Sequence, residues 1–64
     1  MHEKILDQYM SEFGGVILAY AKDEETLPYT VRFNIDRKLG FKVFWTLWTA
    51  NDYFQEIKSS IQSK

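Results

Sequence analysis

Side chains that commonly perform catalysis or bind metal ions are scarce in this sequence of 64 residues. There is no cysteine, which excludes disulfides and thiolate metal sites, and the single histidine, His2, lies beside the N-terminus. No serine lies in a nucleophile-elbow pattern, and the glycines are placed as a helix end and a turn rather than as a phosphate-binding loop. We therefore expect a protein that is not an enzyme and that holds neither a metal ion nor a cofactor.

An acidic run, Asp23-Glu24-Glu25, is the remaining group of potential metal ligands. It lacks the alternating ligand spacing of a calcium-binding loop. Short charge runs of this kind are typical of solvated loops. We interpret the run as an exposed connection between two strands.

Aromatic and basic side chains offer binding chemistry instead, and the stretch FKVFWTLW, residues 41–48, concentrates them. In a strand, successive side chains point to opposite faces, so Phe41, Val43 and Trp45 would enter the core. The residues between them would then lie on the opposite face of the sheet, together with the outward residues of the preceding strand. The predicted partner-binding residues are Arg32, Lys42, Phe44, Thr46 and Trp48. Exposed aromatic groups with polar surroundings usually mark a contact site, and Trp and Arg often anchor it.

Packing alone could also explain these aromatic residues. If one helix covered each face of the sheet, Phe44 and Trp48 would be core residues. Arg32 could equally stack on Phe44 as a cation–π pair without any partner.

A first helix is predicted over residues 2–13. The apolar residues of EKILDQYMSEFGG recur with the spacing of one helix face, and polar residues occupy the other face. The pair Gly14-Gly15 follows, at a position where helices commonly end.

Two strands are predicted next, over residues 16–22 and 29–36. The second alternates apolar and polar residues with period two, as a half-buried strand does. The first is apolar on both faces. Its favoured inward residues are Val16, Leu18 and Tyr20, and its outward residues are Ile17, Ala19 and Ala21.

A hairpin is predicted to join the second strand to the strand at residues 41–48, with Gly40 in the turn. The predicted register pairs Ile35 with Phe41, Phe33 with Val43, Val31 with Trp45, and Tyr29 with Leu47. This register pairs apolar residues throughout, whereas a slip of one residue would oppose apolar to polar residues.

A second helix is predicted over residues 50–62, from the apolar spacing of Ala50, Phe54, Ile57 and Ile61. Thr49 and Asp52 resemble a capping box at its start. The fold class is therefore α+β, in the order αβββα. It is a three-stranded antiparallel meander with both helices packed on one face, forming a single domain over residues 1–64.

Composition limits the function classes. The net charge of −1 and the pI of about 5.7 do not indicate nucleic-acid binding by bulk electrostatics. No apolar run approaches the roughly 20 residues needed to cross a bilayer, and the N-terminus does not resemble a secretory signal. We expect a cytoplasmic protein that does not enter membranes.

We expect a small regulator that acts by binding another protein. This class includes inhibitors, adaptors, and antitoxin-like or phage-encoded regulators. The same surface could also join two copies into a homodimer. The alternative is a nucleic-acid-binding module that uses the sheet-face aromatics and the basic hairpin residues. Those basic residues are Arg32, Arg37, Lys38 and Lys42.

Overall fold

A four-stranded antiparallel sheet followed by one helix forms the part of the chain that the structure describes. The computed structural model describes residues 3–22 and 27–63. The elements are β1 (Glu3–Ser11), β2 (Gly14–Ala21), β3 (Tyr29–Ile35), β4 (Lys38–Phe44) and α1 (Leu47–Gln62). The strands lie side by side in chain order, so the sheet is a meander and the element order is ββββα.

The predicted helix over residues 2–13 is wrong, and with it the αβββα fold class. Residues 3–11 form β1, which pairs antiparallel with β2. A β-bulge between Ile5 and Asp7 shifts the register, so the segment does not alternate with a single period of two. Its apolar doublets, Ile5-Leu6 and Tyr9-Met10, consequently imitate the spacing of an amphipathic helix. Residue 2 of the predicted helix and the acidic run at residues 23–25 lie outside the described residues.

The pair Gly14-Gly15 belongs to the β1–β2 hairpin and does not end a helix. Gly14 has a φ of 152°, and a Cβ built on it would lie 2.3 Å from the carbonyl oxygen of Asn34 on β3. Both facts require glycine, because L side chains rarely adopt that φ and the neighbouring backbone leaves no room. The glycine therefore allows close packing of two strands.

The predicted register of the second hairpin is also wrong. Ile35 pairs with Lys38 instead of Phe41, a shift of three residues. The observed pairs continue with Phe33 and Gly40, Val31 and Lys42, and Tyr29 and Phe44. The turn consists of Asp36 and Arg37, whose φ values of 53° and 67° are those of a tight two-residue hairpin turn.

Gly40 lies within β4, where the ring of Phe33 covers it closely. Because the shift is odd, it exchanges the two faces of β4. Phe44 turns towards the helix, while Phe41 and Val43 turn away from it. The chain after Phe44 leaves the sheet, and residues 47 and 48 belong to α1 instead of a strand.

The core lies between α1 and one face of the sheet. Its buried residues are Val16, Leu18, Val31, Ala50, Phe54 and Ile61. The predicted inward set of the strand at residues 16–22 is confirmed, since Val16 and Leu18 are buried and Tyr20 shares their face. The strand over residues 29–36 is likewise confirmed in position and orientation.

The second predicted helix exists, but it begins three residues earlier than expected. Of its predicted apolar stripe, Ala50, Phe54 and Ile61 are buried and Ile57 is partly buried. Its N-cap is Thr46, whose side chain accepts a hydrogen bond from the Thr49 backbone N–H at 3.4 Å. The predicted cap at Thr49 is therefore wrong.

Candidate functional site

The sheet face opposite α1, which we call the open face, has no described element packed against it. Each row of side chains across it follows from the strand register. One row contains Met10, Gly15, Asn34 and Leu39. The next contains Gln8, Ile17, Arg32 and Phe41. The third contains Ile5, Ala19, Thr30 and Val43. On this face, the side chains of β3 form a polar stripe, which consists of Thr30, Arg32 and Asn34. The side chains of β4 form an apolar stripe, which consists of Leu39, Phe41 and Val43.

The apolar stripe of β4 is exposed to solvent along its whole length. Leu39, Phe41 and Val43 are 84%, 69% and 37% exposed. Ile5 and Met10 on β1 are exposed as well. Ten large hydrophobic side chains of the described residues are exposed, whereas seven hydrophobic residues are buried and two of those are alanines. Among the described residues, more large apolar side chains are exposed than are buried.

An ion pair on the open face joins β3 to the first residue of β1. The Arg32 guanidinium donates to the Glu3 carboxylate, and both side chains remain partly exposed. Arg32 stands opposite Ile17 on one side and Phe41 on the other. The pair therefore leaves this apolar surface electrically balanced.

A recess of about 510 Å³ lies at the end of the open face where both hairpin turns meet. Its apolar lining includes Met10, Phe13, Ile17 and Leu39. Arg32 and Arg37 contribute cationic groups, and Glu12 and Asp36 contribute carboxylates. This recess is concave enough to receive a protruding side chain of a partner.

The predicted binding residues do not share one sheet face. Arg32 lies on the open face, whereas Lys42 and Phe44 lie on the side of α1. The Lys42 ammonium stands 5.7 Å from the ring centre of Phe44 and 5.3 Å from that of Tyr53. The rings of Phe44 and Tyr53 are 5.5 Å apart. The cation–π contact therefore forms with Lys42 rather than with Arg32.

Thr46 and Trp48 lie at the start of α1, off the sheet. They line an apolar groove with Leu6, Leu18 and Leu47. Trp48 is 75% exposed and Trp45 is 74% exposed, so both tryptophans of the chain face solvent. Trp45, which the sequence predicts in the core, is instead a surface residue because the strand ends before it.

The basic residues of the β3–β4 hairpin are also divided between surfaces. Arg32 is paired with Glu3 on the open face, Lys42 lies over two rings on the helix side, and Arg37 is in the turn. They do not form a single basic face. Within residues 3–22 and 27–63, no group of three or more His, Asp or Glu side chains could hold a metal ion. The helix found there is too short and too polar to cross a membrane.

Sequence reasoning missed the apolar stripe of Leu39, Phe41 and Val43. The signal was present, because a two-residue turn at Asp36-Arg37 places these three side chains on the outer face by alternation alone. The turn is predicted at Gly40 because glycine is the residue expected in a hairpin turn.

No protein-family model matches this sequence, and no curated protein or solved structure is significantly similar to it. The geometry of the chain itself is therefore the basis for proposing a function.

Proposed function

We propose that this protein is a non-enzymatic binding module that contacts another protein through its open face. The observation that carries the proposal is the exposed apolar stripe Leu39, Phe41 and Val43, in a structure whose described residues expose more large apolar side chains than they bury. Contiguous apolar surface with polar neighbours is what protein-contact sites commonly show. The polar stripe of β3 supplies those neighbours.

Each part of the open face has a role in this contact. Phe41 supplies a large exposed ring that a partner can bury, and Arg32 beside it supplies directional hydrogen bonds. The recess at the turn end accepts an apolar side chain beside Phe13 and Met10. The partner should therefore present an apolar patch that includes at least one protruding side chain.

The size of the open face limits how strong the contact can be. Four strands spaced about 4.8 Å apart and seven residues long, at about 3.3 Å per residue, have a projected area of roughly 440 Å². A standard interface buries about 800 Å² on each partner. A flat contact on the sheet alone would therefore be small. Contact with Phe13 and Arg37 at the turns would extend it.

The test is photo-crosslinking in an extract of the source cells. A photoreactive phenylalanine analogue replaces Phe41 in one variant and Gln55, on the exposed side of α1, in the control. We expect a covalent adduct with a different protein from position 41 and none from position 55. A third variant with the analogue at Trp48 tests the groove at the start of the helix.

Two results would contradict the proposal. Adducts formed only from position 48 would move the contact to the start of α1. Adducts from position 41 with twice the mass of the chain and no other product would mean that no different protein binds there.

A further inference from the structure

The outer edge of β4 is an open strand edge that can pair with a second chain. In the sheet order, β4 is terminal and pairs only with β3 among the described residues. The strand is seven residues long, contains no proline and has a regular register with β3. Natural sheets usually protect such an edge with bulges, prolines or charges, and of these β4 has only charges, Lys38 and Lys42, both on the α1 side of the sheet. The opposite edge, β1, does carry a bulge.

The backbone groups of Leu39, Phe41 and Val43 point outward from this edge. Ile35 and Lys38 flank a two-residue turn, so they form a hydrogen-bonded pair. Hydrogen-bonded and non-hydrogen-bonded pairs alternate along an antiparallel ladder, so residues 38, 40, 42 and 44 bond to β3. The three residues between them therefore direct their N–H and C=O groups away from the sheet. These are the same residues that form the apolar stripe.

We propose that two copies of this chain pair through β4, antiparallel about a two-fold axis at Phe41. Phe41 would stand opposite Phe41 of the second copy, and Leu39 opposite Val43 of the second copy. This register pairs all seven residues of the strand and uses all three sets of outward backbone groups. It forms about six hydrogen bonds, two for each hydrogen-bonded pair.

Charge repulsion favours this register over the two registers with the axis shifted by one residue. With the axis at Phe41, Lys42 stands opposite Gly40 and Lys38 opposite Phe44 of the second copy. An axis at Gly40 would oppose Lys38 to Lys42, and an axis at Lys42 would oppose that lysine to itself. Like charges directly opposite each other destabilise a strand pair. The register with the most hydrogen bonds is thus also one that keeps the lysines apart.

The pairing also improves the distribution of apolar groups. In one copy, the stripe of Leu39, Phe41 and Val43 lies at the rim of the sheet. In the pair, two stripes meet at the centre of an eight-stranded sheet, and the polar stripes of β3 flank them. An apolar centre with a polar surround is the usual anatomy of an interface. This proposal does not depend on the proposed function, because it concerns the strand edge and a second copy.

Single-cysteine variants test the register directly, since the chain has no cysteine of its own. The two Cα atoms at position 41 would lie about 5.5 Å apart, within reach of a disulfide. The two at position 39 would lie about 14 Å apart, since each stands four residues from its counterpart. We expect Phe41→Cys to form the intermolecular disulfide at least about tenfold faster than Leu39→Cys. Exposure alone favours the opposite order, because Leu39 is the more exposed residue.

Met10→Cys is the matched control on the other edge, with the same exposure as Phe41 to within one percent, 68% against 69%. Slow cross-linking at position 10 supports pairing through β4. Cross-linking at position 10 as fast as at position 41 would indicate two open faces stacked on each other and would overturn the proposal, as would a faster Leu39→Cys.

Sedimentation of uncross-linked protein provides a second test. The wild-type chain should sediment at twice its 7.6 kDa, and Val43→Ala should do the same. Val43→Pro should sediment as a monomer, because proline removes an outward N–H and no bond to β3. Circular dichroism verifies that the proline variant remains folded. A monomeric wild-type chain at high micromolar concentration, or a folded dimeric Val43→Pro, would overturn the proposal.

Discussion

Backbone conformation at single residues determines both hairpins of this sheet. Arg37 adopts a φ of 67°, although an unbranched charged side chain gains nothing from the left-handed region. The turn nevertheless has the conformation that tight hairpins require. The strained conformation of Arg37 therefore persists because the turn it belongs to sets the register of β4.

Replacing Arg37 with glycine should stabilise the protein by about 1 kcal/mol, since glycine occupies the left-handed region without a Cβ penalty. Chemical denaturation measures the change. Lys38→Gly is the control, because Lys38 lies in extended β4, and there glycine should destabilise by about 0.5–1 kcal/mol. A destabilised Arg37→Gly variant would show that the arginine side chain makes contacts that outweigh the strain.

Gly14 and Gly15 are adjacent but should respond differently to alanine. At Gly14 the added Cβ would meet a backbone carbonyl at 2.3 Å, whereas at Gly15 it would meet the flexible Met10 side chain at 2.6 Å. Gly14→Ala should therefore lower the free energy of unfolding by more than about 1 kcal/mol, and Gly15→Ala by less. Thermal denaturation of the two variants compares them, and equal losses would contradict the assigned roles.

At the scale of elements, the features that the sequence predicts correctly are those whose apolar spacing allows one interpretation. In β3 the alternation has no interruption, and in α1 the spacing of Ala50, Phe54 and Ile61 fits only a helix. In β1 the bulge at Leu6 breaks the alternation, and the resulting doublets fit a helix as well. The local sequence pattern cannot distinguish a helix from a strand in this segment, because the pairing with β2 determines its structure.

The candidate site was predicted less well because it depends on register. Arg32 was placed by a regular strand, and the structure leaves it on the surface opposite α1. The outward position predicted for Phe44 depends on a turn at Gly40, and Phe44 lies instead among the partly buried residues packed on the core. One displaced turn was enough to exchange which aromatic residues of β4 face solvent. The binding role of the predicted residues stays a prediction.

The helix is anchored to the sheet by the buried ring of Phe54 and not by the exposed ring of Trp48. Phe54 is completely buried, whereas Trp48 is 75% exposed. Phe54→Ala should cost about 3–5 kcal/mol, which is comparable with the whole stability of a small domain. Trp48→Ala should change stability by no more than about 0.5 kcal/mol. Far-UV circular dichroism during denaturation measures both, and an unfolded Trp48→Ala would contradict the surface position.

At the scale of the whole molecule, a single helix covers one face of a four-stranded sheet, and few large side chains are buried. A chain of this length gains little stability from its core alone. Association with a second copy would add stability by mass action, because the pair forms only from folded chains.

The thermal midpoint of the wild-type chain should consequently rise with protein concentration. Phe41→Lys should abolish this dependence, since it places two ammonium groups opposite each other at the proposed axis. Met10→Lys, with nearly the same exposure on β1, should retain it. Calorimetry over a wide concentration range makes the comparison. A midpoint independent of concentration in the wild-type chain would show that the monomer is the stable form.

The irregularity of β1 has a consequence for how far growth by strand addition can proceed. A sheet with two plain edges can add copies on both sides and extend into a ribbon without limit. This sheet has a plain edge at β4 and a kinked one at β1. A molecule in which only one edge strand can pair forms a dimer and adds no further copies. The displaced backbone at Leu6 would thus keep a self-pairing chain from becoming a fibre.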